Sequence, residues 1–139
     1  MVFVVCAVVS TAGCGLFQVT FRAEAGAVRE VSGIGRVVEK TFVDPIYRNT
    51  IQIDDILVMD VGASSHEEGM AVARDRLAKA GWVPGVEREQ GISLDSARWK
   101  DTPLSVAPYE PEAVRSLGAT TTTPYDQGKY LLVVMTKVG

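Results

Sequence analysis

The fold is decided by residues 64–82, whose sequence is SSHEEGMAVARDRLAKAGW. The pairs Ser64–Glu67 and Ser65–Glu68 both have the spacing of a capping box, which satisfies the free amides of a first helical turn. Apolar side chains then recur three and four residues apart and make one buried stripe: Met70, Ala73, Leu77 and Ala80. Gly81 suits a left-handed helix end, after which Trp82 would fold back onto the stripe. These signals predict a helix over about residues 65–80.

Strands are predicted on the N-terminal side of this helix. Residues 37–43 and 51–61 are rich in β-branched and other apolar side chains, as strands are. Asp54-Asp55 disturbs the alternation of the second strand, and a β-bulge there would re-register its two faces. Residues 16–21 alternate as well and suit a strand. The mixed, Gly-containing stretch 22–35 is predicted to be a loop.

More strands are predicted after the helix. Residues 91–99 and 103–109 suggest a hairpin around Lys100-Asp101, and residues 111–117 suggest a short helical turn ended by Gly118. The Thr-rich stretch 119–128 is predicted to be an exposed loop, whereas the apolar run 130–138 suits a central strand. The sequence therefore predicts an α+β fold, a two-layer sandwich with a mostly antiparallel sheet and one main helix packed on one face.

Length and charge limit the class of protein. The 139 residues suffice for one domain, and 47% hydrophobic residues with 22% charged residues indicate a folded chain. Fourteen basic residues against 17 acidic ones give a net charge of −3, and the basic residues are scattered singly. Nucleic acid is not expected as a partner, because phosphate backbones are bound by clustered positive charge.

The N-terminus has the pattern of an export signal. No charged residue precedes Arg22, and a nearly continuous apolar run, residues 1–9, leads into the small residues 10–13. The sequence Thr11-Ala12-Gly13-Cys14 resembles the bacterial lipobox, in which the cysteine receives lipid and becomes the mature N-terminus. The resemblance implies a signal segment over residues 1–13, lipidation of Cys14, and a single domain over residues 14–139 anchored in the cell membrane by its acyl chains (diacylglycerol, with a further chain such as palmitate).

Other interpretations of this N-terminus stay open. Residues 2–9 suit a buried strand, residues 1–21 could form one uncharged membrane helix, and an ordinary secretory signal would release its product. The run of residues 1–9 is too short to span a bilayer by itself. Loss of the signal would remove Cys6, whereas a Cys6–Cys14 disulfide would require the chain to keep it.

A second resemblance concerns the whole layout. An anchor, a strand, a helix ending in Ala-Gly-Trp and several further strands look like small lipoproteins of high-GC Gram-positive, actinobacterial-type bacteria. Nine Arg against five Lys agree with that source. The resemblance implies the extracytoplasmic face of the cell envelope as the location and implies no chemistry.

The side chains that could support catalysis or metal binding are few. His66, the only histidine, is interpreted as an exposed residue of the first helical turn, and zinc has too few Cys and His ligands. Asp54, Asp55 and Asp60 are the best oxygen cluster and are interpreted as a charged strand edge. No catalytic residue, metal or cofactor is expected.

The leading hypothesis is a non-enzymatic binding module of the cell envelope. It would contact an envelope protein or a cell-wall component through the sheet face opposite the helix, or through Trp99 at the hairpin tip. Two alternatives stay open: a small hydrolase that uses two acidic residues in one cleft, and a cytosolic immunity or antitoxin-like protein with residues 2–9 as a core strand.

Overall fold

The structure is a computed structural model that describes residues 19–44, 46–47, 50–88 and 90–138. Several predictions lie outside these residues: the signal segment 1–13, the fate of Cys6 and Cys14, the strand or membrane helix at the N-terminus, and the beginning of the strand over residues 16–21.

Three helices are interspersed among eight strands along the described chain. The helices are α1 (Ala25–Ser32), α2 (His66–Lys79) and α3 (Pro111–Ser116). The strands are β1 (Val19–Arg22), β2 (Arg36–Val43), β3 (Ile46–Tyr47), β4 (Thr50–Asp60), β5 (Trp82–Arg88), β6 (Gly91–Ser96), β7 (Leu104–Pro108) and β8 (Leu131–Met135). The chain is of the α+β class, as the sequence predicts.

These strands form one sheet with β4 and β8 in its interior. The order is β1-β4-β8-β7-β6-β5, and β2 and β3 also pair with β4. Strand β1 runs parallel to β4, whereas β2, β3 and β8 run antiparallel to it. The predicted hairpin is confirmed as the antiparallel pair β6–β7, and β8 lies between β4 and β7 as a central strand.

Buried apolar side chains form two clusters, one on each face of the sheet. The first packs under α1 and α2 and includes Leu57, Met59, Val106, Val133 and Met135. The second lies on the other face, where alternate side chains of β4 and β8 pack with α3 and two tyrosines. It consists of Ile56, Val58, Tyr109, Val114, Tyr130 and Leu132. We call the side of the first cluster the helix face and the side of the second the open face.

Helix α2 is confirmed with its predicted ends. The Ser65 Oγ accepts a hydrogen bond from the Glu68 amide at 3.1 Å. The Glu68 carboxylate accepts from the Ser64 amide and hydroxyl at 3.1 and 2.9 Å, and these bonds hold the pKa of Glu68 below its ordinary value. Gly81 has φ of 95°, and Trp82 is buried in the same cluster as Leu77.

Three elements were not predicted: α1, β3 and β5. The loop expected over residues 22–35 is wrong, because α1 lies there despite its glycine. Its own residues Ala27, Val28 and Val31 are buried, so tertiary packing supplies what helix propensity lacks. Strand β5 follows Gly81 directly and is exposed at every residue after Trp82, so its sequence has no alternation that would reveal it.

The interpretation of the Asp54–Asp60 region as a charged strand edge is wrong. Strand β4 is paired on both sides, by β2 and β8. No bulge occurs at Asp55: its register with β8 is continuous, and the shift in this region lies in β2, between Val37 and Glu39. Asp55 can lie among the buried side chains of β4 because the Arg22 guanidinium pairs with it, at 2.8 Å from Nη2 to Oδ1.

Within the described residues, none of the helices is both long enough and apolar enough to cross a membrane.

Candidate binding cleft on the open face

A cleft of about 530 Å³ with a mainly apolar lining lies on the open face. Its floor consists of side chains from three adjacent strands: Ser93, Ser105, Ala107, Leu132 and Val134. Cα pairing places Ser93 opposite Ser105 and Ser105 opposite Val134, so these three form one row across the sheet. The volume is in the range of small-molecule and peptide-anchor sites.

Alternation in β7 explains why this face is open. Leu104 and Val106 point into the helix-face core and are fully buried, whereas Ser105 between them is exposed. Small side chains at Ser93, Ser105 and Ala107 leave room above the sheet where larger ones would fill it. The cleft is therefore encoded by the small residues at every second position.

Helix α3 forms one wall of the cleft. It contributes Ala113, Ser116 and Leu117, and the last of these is 40% exposed. Val114 on its other side is completely buried in the second cluster, which fixes the helix on the sheet. Gly118, with φ of 92°, ends the helix as the sequence predicts.

The rim of the cleft is polar but nearly uncharged. Gln90 and Thr136 line it, and Arg88 is its single charged residue. The site therefore offers hydroxyl and amide hydrogen bonds around an apolar floor, with no pair of acid and base for proton transfer.

On the open face, the second cluster separates the cleft from a carboxylate that holds the segment leading from α3 to β8. The Glu39 carboxylate accepts hydrogen bonds from the amides of Thr122 and Thr123 at 2.9–3.1 Å, and from the hydroxyls of Thr121 and Thr123 at 2.8 and 2.5 Å. The Tyr109 hydroxyl donates to the Thr123 carbonyl at 2.6 Å. Burial raises the pKa of Glu39, but these hydrogen bonds together outweigh it, so its pKa lies below the ordinary value of 4.5.

The hydrogen bonds from Thr121, Thr122 and Thr123 to Glu39, which we call the threonine clamp, predict a pH dependence of stability. Because the pKa of Glu39 is lower in the folded protein, its contribution is present above pH 4.5 and is lost as the pH falls through the folded value. We expect Glu39→Gln to cost about 1–2 kcal/mol of unfolding free energy near neutral pH and less near pH 3. Urea titrations of both proteins at the two pH values measure this difference. Glu112→Gln, an exposed position in α3, is the control, and a Glu39→Gln cost that does not depend on pH would contradict the account.

Trp99, the predicted contact residue, is partly buried against the helix-face cluster. Its indole N–H donates to Glu30 Oε2 at 3.3 Å, and that of Trp82 donates to Glu30 Oε1 at 2.9 Å. The ring lies over Gly26, where an added Cβ would come within 2.6 Å of Cη2. Trp99 thus ties the β6–β7 turn to α1, and it lies on the other side of the sheet from the cleft.

The hydrolase alternative requires two acidic side chains in one cleft. Two carboxylates, of Asp60 and Asp126, line a smaller cleft of about 350 Å³ beside Lys129. The Gly62 amide lowers the pKa of Asp60, burial opposes this, and Arg36 and Lys129 lower it further. A general acid needs a raised pKa, so Asp60 is unsuited to donate a proton at neutral pH.

His66 begins α2 as predicted, but it is only partly exposed. Its Nε2 atom is buried without a hydrogen-bond partner in the described part of the chain. Across residues 19–44, 46–47, 50–88 and 90–138, no three His, Cys, Asp or Glu side chains come together as a metal site would require.

Neither the cleft nor the threonine clamp was predicted. The small residues at alternate positions of β6 and β7 were the signal for the cleft. Glu39 and Thr123 are 84 residues apart, and nothing in either segment indicates the contact.

Comparison with known proteins gives no relative. No family model matches the chain, no curated protein matches it, and no solved structure matches it.

Proposed function

We propose that this chain is a membrane-anchored, extracytoplasmic binding protein without catalytic activity, and that the cleft on the open face receives its partner. The lipobox-like Cys14 would supply the anchor, and an envelope protein or a cell-wall component would supply the bound segment. The observation that carries the binding role is the cleft itself, with a largely apolar lining, three serine hydroxyls and one charged residue at the rim.

The proposal includes the architecture expected from the sequence, a two-layer sandwich with a mostly antiparallel sheet. Its support is that α1 and α2 share one apolar cluster on the helix face, and that β5, β6, β7 and β8 pair antiparallel in succession. Such a scaffold leaves the second face for a partner. The short α3 would then act as the wall of the site.

A photo-crosslinking residue at Ser105 tests the binding role. Ser105 lies on the cleft floor and is exposed, so we expect one defined crosslinked product in the native cell envelope, identified by mass spectrometry. The same residue at Ala71, on the exposed side of α2, is the matched control and should give none. Equal crosslinking from both positions, or none from Ser105, would remove the cleft from the proposal.

The hydrolase alternative is supported only by the cleft with Asp60 and Asp126. The lowered pKa of Asp60 fits only the ionised partner of such a pair, whereas glycoside cleavage also needs a carboxyl group that stays protonated. The binding role is therefore preferred.

A further inference from the structure

A second cleft, of about 630 Å³, lies on the helix face between α1, β2 and the β1–β4 pair. Three basic side chains from three different elements line it: Arg22 of β1, Arg29 of α1 and Lys40 of β2. Its single carboxylate is that of Asp55. We call it the basic cleft.

The charge of the basic cleft opposes that of the whole chain. Three cations and one carboxylate give a lining charge of +2 (3 − 1), whereas the chain carries −3. Clefts lined by one sign of charge concentrate the field and attract the opposite ion. The basic cleft therefore favours an anion although the protein as a whole repels one.

The carboxylate in the basic cleft is already paired with Arg22. Both oxygens of Asp55 accept hydrogen bonds from Arg22, Oδ1 from Nη2 at 2.8 Å and Oδ2 from Nε at 3.3 Å. Arg29 and Lys40 make no salt bridge with any described residue, whereas eight other basic residues of the described chain do. Two exposed cations are thus left to face the same cavity.

We propose that the basic cleft binds a phosphate group, held by Arg29 and Lys40 with Arg22 and Asp55 as the fixed wall. A phosphomonoester carries about −1.5 to −2 charges at pH 7, which matches the lining charge. A guanidinium can donate two parallel hydrogen bonds to phosphate, and a lysine adds a mobile point charge. The buried Val28 supplies an apolar surface beside them for the group that bears the phosphate.

The phosphate has two possible sources, a soluble phosphorylated molecule or a lipid headgroup. The lipid source agrees with the proposed anchor, because Arg22 is eight positions after Cys14, a reach of at most roughly 28 Å of extended chain. The soluble source requires no anchor. The site itself goes beyond the proposed function, since it lies on the opposite face from the cleft of Ser105.

The test uses the full chain with two probes. Pyrophosphate is titrated into the labelled protein while amide NMR shifts are followed, and flotation compares neutral phosphatidylcholine vesicles with vesicles that also contain phosphatidic acid. Binding to neutral vesicles measures the contribution of the N-terminal segment. Only the additional binding to vesicles with phosphatidic acid, which we call the increment, therefore tests the basic cleft. We expect shifts centred on residues 28–32 and 40, or such an increment. Shifts without the increment indicate a soluble ligand, and the increment indicates a headgroup.

Variants decide whether the basic cleft is responsible. Arg29→Gln combined with Lys40→Gln should weaken binding at least about tenfold, because phosphate affinity follows the number of neutralising cations. Lys79→Gln combined with Arg115→Gln removes the same charge from exposed pairs elsewhere and should leave binding unchanged. Arg22 is kept, since Asp55 depends on it.

Three results would overturn the proposal. They are no response of the wild-type protein to either probe, equal binding by the wild type and the cleft variant, and an equal loss in the two double variants. Should the cleft variant not fold, the position of the NMR shifts in the wild-type protein still decides, because shifts away from the basic cleft exclude it.

Discussion

Arg22→Leu is expected to lower the free energy of unfolding by about 2–4 kcal/mol. Asp55 lies in the interior strand β4 with 1% of its side chain exposed, and Arg22 is the only salt-bridge partner that the described residues give it. Without the guanidinium, a buried carboxylate would lose both the opposite charge and two hydrogen bonds. The Arg22 side chain is 43% exposed, so solvent moderates the loss and the expected value stays below the largest known for buried pairs.

Urea unfolding at neutral pH measures this effect. Arg22→Leu/Asp55→Leu should recover much of the stability, because the double variant leaves no buried charge. Lys79→Ala is the control, since its pair with Asp75 is exposed on both sides and should cost about 0.5 kcal/mol or less. If Arg22→Leu were as stable as the Lys79 variant, the ion pair with Arg22 would not explain how Asp55 can be buried in β4.

Cys14→Ser is expected to move the protein out of the membrane fraction almost completely. The proposed anchor is formed on the thiolate of Cys14, and a serine hydroxyl cannot replace that nucleophile. Two or three acyl chains together give stable anchoring, at about 0.8 kcal/mol per buried CH₂, so their loss removes most of the membrane affinity. Fractionation of the native host and the intact mass of the product measure both consequences.

Cys6→Ser is the matched control for the anchor. Cys6 lies in the proposed signal segment, so this change should leave both the location and the mature mass as in the wild type. Membrane association that persists in Cys14→Ser would instead favour a spanning N-terminal segment. A wild-type protein that is processed but lipid-free would indicate an ordinary secretory signal, and one that keeps Met1 in the cell interior would favour the cytosolic alternative.

The elements that the sequence predicted share strong local signals. Helix α2 has a capping serine, an apolar stripe and a glycine stop, and all three act within a few residues of one another. Strand β8 has five consecutive apolar residues, which suits a strand covered on both faces. The signals for the hairpin β6–β7 and for the end of α3 at Gly118 also lie within a few residues, so both were predicted correctly.

The elements that were missed depend on distant partners. Helix α1 is held by the burial of Val28 and Val31 and by the Trp99 ring over Gly26. Strand β5 forms because β6 offers it an edge, and its own exposed residues carry no pattern. Tertiary contacts thus form α1 where the local sequence favours a loop, and β5 where the local sequence has no pattern.

By itself, the sequence determined the α+β class, the position of the main helix and the central place of the last strand, because these follow from capping and hydrophobic periodicity within short windows. Only the tertiary structure decided which polar groups meet. It joined Arg22 to Asp55 and Glu39 to the threonines, and it placed Arg29 and Lys40 in the lining of one cleft. Hydrogen bonds and ion pairs between side chains far apart in the chain have no period along it, so the two clefts became visible only in the folded molecule.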